Sequence, residues 1–300
     1  MNKILFKRVL LLLLALAIPC AAVSCNSFGD TEYAVVSENN VSSDGYIYDK
    51  YENSTVRITG KEELPAVLVI PEKIDGMTVV EIADKAFADN ELINYVEFPK
   101  TSIKLGRGVF SGSLALLAVN FSNAVTAIPK NTFEGCFNLV LIENAESVTE
   151  IASQAFADCS SLAHLPIPSK LEKIGSEAFR GCTSLASIKL PETVTEIEES
   201  VFWGCTALVS AEILSETAIS PYCFLNCTAL SSVSIGNKVT AIGEESFRGC
   251  RELYSVTLGG GVTEIGDYAF HACDALTQVN LPAKSTITIG EGNESLGLNG

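Results

Sequence analysis

Two histidines and one tryptophan occur among 300 residues, and 20 bases stand against 36 acids. The scarcity of histidine removes the usual metal ligand and the usual proton shuttle near neutral pH, so metal centres and acid/base sites built on it have little material. The shortage of bases, a formal charge of −16, works against binding nucleic acid or an anionic membrane surface, both of which call for clustered Lys and Arg. The chain holds no Cys-x-x-Cys pair, His-Glu-x-x-His helix or Gly-x-Ser-x-Gly elbow, which takes away common signatures of zinc sites, metalloproteases and serine hydrolases. Glu and Asp are plentiful but spread along the chain, without a segment that would bury an acid/base pair. Wholesale disorder is excluded in turn, because 47% of the residues are apolar and 19% charged.

What is present begins with an address. Lys3, Lys7 and Arg8 precede an unbroken apolar run from Val9 to Ile18, followed by Pro19 and then Ala22-Val23-Ser24-Cys25. A basic start, a short apolar core and small residues before a break describe a secretory signal, and a run of about ten residues is too short to span a bilayer. Ala22-Val23-Ser24-Cys25 also resembles the bacterial lipobox, in which cleavage exposes a cysteine for lipidation, although a lipobox usually begins with Leu. The resemblance implies Cys25 as the lipidated residue, with ordinary signal-peptidase cleavage after Ser24 as the alternative. Cys20 is the poorer candidate because Pro19 precedes it. Removing residues 1–24, which hold three bases and no acids, would take the formal charge from −16 to −19.

The remainder is one repeated sentence. Phe87, Phe110, Phe133, Phe156, Phe179, Phe202, Phe224, Phe247 and Phe270 lie 23 residues apart seven times and 22 apart once. Five residues before each stands Ile or Leu, from Ile82 to Ile265, and six after each again Ile or Leu, from Ile93 to Leu276. Nine and eleven after Phe a second apolar pair recurs, as in Ile188 and Leu190, often followed by proline. The alternation in that pair predicts a short strand, and the β-branched Val-Thr-x-Ile segments, such as Val194 to Ile197, predict a second. A helical turn is expected to carry each Ala-Phe inward and to stop two residues later, where Asp89, Gly112, Gly135, Asp158, Gly181, Gly204, Asn226 and Gly249 tolerate positive φ. One such coil cannot bury its own apolar face, so coils must stack.

The pattern Leu-x-x-Ile-x-Leu-Pro-x-x-Val-x-x-Ile-x-x-x-Ala-Phe-x-x-Cys resembles the BspA-like leucine-rich repeats of bacterial surface proteins. It covers about residues 64–281, and Ile70 to Val79 resembles the longer first turn of that family. The resemblance implies an α/β solenoid: a right-handed leucine-rich-repeat superhelix with a parallel β-strand column and short helical turns, about nine 23-residue rungs. It also implies adhesion or protein binding, and no catalytic residue, cofactor or metal. The expected organisation is a signal peptide over 1–24, a tether over 25–45, an N-terminal cap with a hairpin over 46–77, and repeats over 78–281. Residues 282–300 read as a degenerate last repeat or as the point where the chain is cut short.

Seven cysteines, from Cys136 to Cys273, share one column three residues after Phe. Parallel Cβ vectors on stacked rungs are poor disulfide geometry, and metal sites need converging ligands, so each is read as a small buried residue at a turn where Asn90 and Ser113 also fit. Cys223 with Cys227 is the one pair whose spacing invites a bond. The outward strand positions nominate Tyr95, Glu97, Leu141, Glu143 and His164 as protein-contact residues. Trp203 lies in a different column between Arg180 and Arg248, either as an exposed aromatic contact or packed under arginine. His164 and His271 fall in different columns, which argues against a shared catalytic site. Leu258-Gly259-Gly260-Gly261 reads as a loose turn and not as a phosphate cradle.

The expected protein is therefore a non-enzymatic monomer, exported and lipid-anchored at Cys25 at the bacterial envelope, either at the outer membrane or on the cell surface. It binds a protein ligand, touches the membrane only through its lipid and does not bind nucleic acid. The alternative is a structural envelope spacer without a specific ligand.

Overall fold

A computed structural model describes residues 33–165, 167–283 and 286–297. The expected signal and the expected lipidation at Cys25 lie outside the described residues. Three strands come first: β1 (Val35–Val41), β2 (Tyr46–Tyr51) and β3 (Thr55–Lys61), with β1 and β2 antiparallel, and β2 and β3 antiparallel. The segment expected to be a tether thus holds an edge strand from Val35 onward. Three tyrosines tie this sheet to the coils below it. The hydroxyl of Tyr46 donates to the Val69 carbonyl at 2.5 Å, that of Tyr48 to the Asp75 carboxylate at 2.8 Å, and that of Tyr51 to the Glu81 carboxylate at 2.7 Å. Each replaces a water contact at the end of a stack that would otherwise expose its first apolar layer.

From residue 67 the chain is a parallel β-solenoid of about ten turns. One column of strands contains β4 (Val67–Val69), β7 (Tyr95–Glu97), β9 (Ala118–Asn120) and β11 (Leu141–Glu143), then β14 (Ser187–Leu190), β16 (Ser210–Ile213), β17 (Ser232–Ile235), β19 (Ser255–Thr257) and β21 (Gln278–Asn280). The other contains β6 (Met77–Ile82), β8 (Lys104–Leu105), β10 (Ala127–Ile128), β12 (Glu150–Ile151), β13 (Lys173–Ile174), β15 (Glu196–Ile197), β18 (Ala241–Ile242), β20 (Glu264–Ile265) and β22 (Thr288–Ile289), with β5 (Lys73–Ile74) paired back on β6. Strand β3 continues into this second column by pairing parallel to β6.

The expected helical turns are not formed. Among the described residues there is no α-helix, only a 3₁₀ turn at Glu294–Leu296. The reason lies in two columns of left-handed residues flanking Phe. The anticipated one, two after Phe, runs from Asp89 (φ 53°) through Gly181 (φ 70°) to Ala272 (φ 57°). A second, two before Phe, holds Lys85 (φ 57°), Gln154 (φ 58°), Glu177 (φ 57°), Tyr222 (φ 60°) and Tyr268 (φ 56°) among others. Left-handed residues on both sides of Phe break the run of negative φ that an α-helix needs. The backbone bonds go to the next coil instead, with Lys85 N–H to Arg107 C=O at 2.9 Å, Phe87 N–H to Val109 C=O at 3.0 Å and Asp89 N–H to Ser111 C=O at 2.7 Å. A non-glycine residue in this region carries a strain of the order of 1 kcal/mol, offset here by a hydrogen bond that the stack supplies.

The core is a file of phenylalanines. The nine rings stack with centroids 5.1–5.7 Å apart and interplanar angles of 14° or less. All nine are buried. In the first rungs Phe98 and Phe121 add a second pair, tilted at 32° with centroids 5.4 Å apart, each edge-on to the main file. Leu190, Ile213, Ile235 and Leu258 hold that place later on.

Both columns are interrupted. The first breaks between Glu143 and Ser187, where residues 162–165 and 167–168 are not in a strand. Pro168 falls in this rung, and proline has no N–H to give to a ladder. The second is reduced at the 22-residue step to a single bridge between Ile219 and Ile242. Near the end of the described chain, Asn293 bridges several groups. Its Oδ1 accepts the Phe270 N–H at 2.9 Å, as a backbone carbonyl does in earlier rungs, and its Nδ2 donates to the carbonyls of Gly266, Gly290 and Glu291. Gly260 and Gly261 lie in a turn, as expected, and Gly260 has room for a Cβ, but its two neighbours do not. A Cβ on Gly259 or Gly261 would run into the carbonyl oxygens of Gly236 or Asn237 on the preceding coil, so closeness of two backbones sets these residues.

Candidate functional site

Strand alternation sends every second residue of the first column outward, and parallel pairing stacks those residues in rows. Register aligns Val67, Tyr95, Ala118 and Leu141 in one row, and Val69, Glu97, Asn120 and Glu143 in the row beside it. Four of the nominated residues, Tyr95, Glu97, Leu141 and Glu143, are thereby brought onto one face, each half-buried. Glu97 and Glu143 are two strands apart, roughly 10 Å. No Lys or Arg stands in either row, and neither carboxylate has an ion-pair partner among the described residues. The Tyr95 hydroxyl is raised above its ordinary value, first by burial and then by the negative charges of Glu97 and Glu143, against the opposing hydrogen bond with Asn120. In the same rungs Leu114, Phe137 and Val140 are also exposed.

His164 follows Leu141 by one repeat and is exposed, but its rung is not in a strand. Trp203 is on neither row. It sits one residue after Phe202, 39% exposed, on the side where the left-handed turns stack. Its neighbour Arg180 does not cover it: that guanidinium pairs with Asp158 at 2.8 Å and Glu177 at 2.9 Å. His271 lies in the Trp203 column, edge-on to Tyr268 at 5.6 Å and far along the stack from His164.

The second sheet of the same column has a different outer face. Ser187, Ser210, Ser232 and Ser255 form one row, and Lys189, Glu212, Ser234 and Thr257 the other. Lys189 and Glu212 pair at 2.8 Å, so the one charged step is neutral. Because these side chains are small, a shallow groove of about 480 Å³ opens over the four serines. The sequence reading weighted the first half and passed over this groove; the signal for it was side-chain size, four serines in register.

The thiol column is structural. All eight cysteines from Cys136 to Cys273, Cys223 and Cys227 included, are free and buried. Cys136 donates its S–H to the Phe110 carbonyl at 3.1 Å, and Cys159, Cys182, Cys205, Cys227, Cys250 and Cys273 repeat the bond at 3.2–3.3 Å, each to the Phe carbonyl one coil earlier. Ser113 makes the same bond to Phe87 at 3.1 Å, which explains why serine substitutes there. Burial pushes the Cys136 and Cys273 thiols up to about 12 and drives those of Cys159, Cys182, Cys227 and Cys250 well above their usual value, the opposite of an activated nucleophile. Among the described residues no group of three His, Cys, Asp or Glu side chains is placed to hold a metal ion.

The family model for the BspA type leucine rich repeat region matches residues 80–213 and 217–293, in six copies. Among solved structures, a leucine-rich repeat protein of T. pallidum is 24% identical, with 78% of this chain and 89% of that chain covered and a TM-score of 0.47. A leucine-rich repeat protein from Bacteroides ovatus is 25% identical over 84% of this chain and 92% of its own, with a TM-score of 0.40. A leucine-rich cell surface protein from Faecalibacterium prausnitzii is 21% identical over 87% of this chain and 96% of its own, with a TM-score of 0.36. No curated protein matches the chain.

Proposed function

Since the chain belongs to the family of BspA-type leucine-rich repeat proteins, we propose that it is a non-enzymatic protein of the bacterial cell surface that binds another protein through the outer face of β4, β7, β9 and β11. The observation that carries this reading is the assembly of Tyr95, Leu141, Glu97 and Glu143 on one rigid sheet. A half-buried tyrosine with neighbouring aliphatic and carboxylate groups supplies apolar area and directional bonds at little cost in conformational entropy. The rest of the reading is an address: export directed by residues 1–24 and a lipid on Cys25. Cys25→Ala should abolish incorporation of a labelled fatty acid into the protein, and undiminished labelling of the variant would contradict the anchor.

The binding reading is tested by capture from host and bacterial surface extracts with the soluble form, residues 30–300, beside Tyr95→Ala/Leu141→Ala. Loss of a captured protein at unchanged melting temperature supports docking on this face. A capture pattern that depends on the number of rungs and not on these two residues would favour an envelope spacer.

A further inference from the structure

The partner chemistry is set by what the first sheet leaves unpaired. Elsewhere on the solenoid three exposed carboxylates take a base: Glu212 takes Lys189 at 2.8 Å, Glu196 takes Lys173 at 3.0 Å, and Glu192 takes Lys238 at 3.1 Å. On the first sheet Glu97 and Glu143 face solvent with Asn120 between them and no base in either row. Beside them runs the apolar row of Val67, Tyr95 and Leu141, with Val67 41% exposed. An apolar strip beside two unneutralised carboxylates, on a chain of charge −16, is complementary to one kind of occupant.

We infer that this face docks an extended, cationic polypeptide segment carrying two basic residues three apart with an apolar residue between them. The inference rests on the reading of this face as the docking surface. The spacing follows from length and periodicity: Glu97 and Glu143 are roughly 10 Å apart across two strand spacings, and an extended segment in the polyproline II conformation returns every third side chain to the same face after about 9 Å. The apolar residue between the bases then lies toward Tyr95 and Leu141. A neutral segment would leave both carboxylates to be desolvated without a partner, and an acidic one would be repelled.

The probe is a nine-residue peptide of three Lys-Leu-Ser units, compared with its Glu-Leu-Ser counterpart and measured by fluorescence anisotropy at low and physiological salt. The intact protein should bind the lysine peptide saturably and the glutamate peptide not at all. Glu97→Gln/Glu143→Gln should weaken binding about tenfold. Glu150→Gln/Glu196→Gln, which removes the same charge from the second column, should leave it unchanged. Equal weakening by both pairs would overturn the inference, because the attraction would then be the field of the whole chain. If Tyr95→Ala/Leu141→Ala abolishes capture of a natural protein while Glu97→Gln/Glu143→Gln alters neither that capture nor the peptide affinity, the docking face stands and its cationic preference falls. If neither pair changes capture or peptide binding, both readings fall.

Discussion

Strands β4 to β11 and strands β14 to β21 share one interior file of phenylalanines, but their outer faces have little chemistry in common. The first sheet shows Val67, Val69, Tyr95, Leu141 and two unpaired carboxylates; the second shows serines, a threonine and one internally neutralised ion pair. The sheet is interrupted between them, whereas the core is not: Phe133, Phe156 and Phe179 continue stacking at 5.2 and 5.4 Å across the rung that carries Pro168. Cohesion therefore belongs to side-chain stacking and to the turn-side backbone bonds, and a strand can be lost from one rung without splitting the solenoid. Outer residues are then free to diverge between halves while the inner columns hold the fold.

The largest test of this division removes a ring beside the interruption. Phe179→Ala should cost about 3–5 kcal/mol and, by weakening the stacked file beside the missing strand, convert a single unfolding transition into two in a urea melt. An unchanged curve would remove the stacked file from its place as the main source of cohesion.

The thiols distinguish the halves by pH. Rungs with Asn90 and Ser113 carry no thiol in the column, whereas every later rung does. A buried thiol raised from 9.0 to about 12, as at Cys136, keeps its proton in the folded state after the unfolded chain has lost it. Its stabilising effect is complete below pH 9 and declines as pH rises toward 12. Circular dichroism across that window should show the second half loosening before the cap, whose Tyr46 and Tyr51 hydroxyls, also raised to about 12, start from 10.0. Loss of the cap first would contradict the assignment.

A smaller effect separates the two qualities of the cysteine column, volume and donor. Cys182→Ser keeps the bond to the Phe156 carbonyl, whereas Cys182→Val removes it; the valine variant should be less stable than the serine variant by about 1 kcal/mol, measured by denaturant melts. The reverse order would mean that packing alone selects cysteine. The smallest expected difference is local: the amides of Ala163, His164, Leu165 and Ile167 should exchange with deuterium faster than those of β11 and β14, and equal protection would show that this rung is no weaker than its neighbours.

Much of this fold is written in the sequence because solenoid columns repeat one contact many times. The Phe, Ile, Leu and Cys columns were each legible from spacing alone. The column two before Phe was not, since Lys85, Asn131, Gln154, Glu177, Tyr222 and Tyr268 have no common side-chain property; their left-handed backbone is imposed by bonds to the next coil, which a local reading of propensity does not contain. The same holds for Gly259 and Gly261, fixed by an approach between coils. The strand at Val35–Val41 was hidden by its polar composition, because an edge strand buries little. That Tyr95, Glu97, Leu141 and Glu143 would share one outer face was legible from their alternation along β7 and β11. Its isolation from bases was less so, because pairing across rungs decides which carboxylates find a partner.

The central claim is that recognition belongs to the first sheet and not to the second. Hydrogen–deuterium exchange with the Lys-Leu-Ser peptide bound tests it most directly. Protection of Tyr95–Glu97 and Leu141–Glu143 without change at Ser187–Leu190 and Ser232–Ile235 is the predicted footprint; protection centred on the serine rows, or on the turns around Trp203, would contradict it.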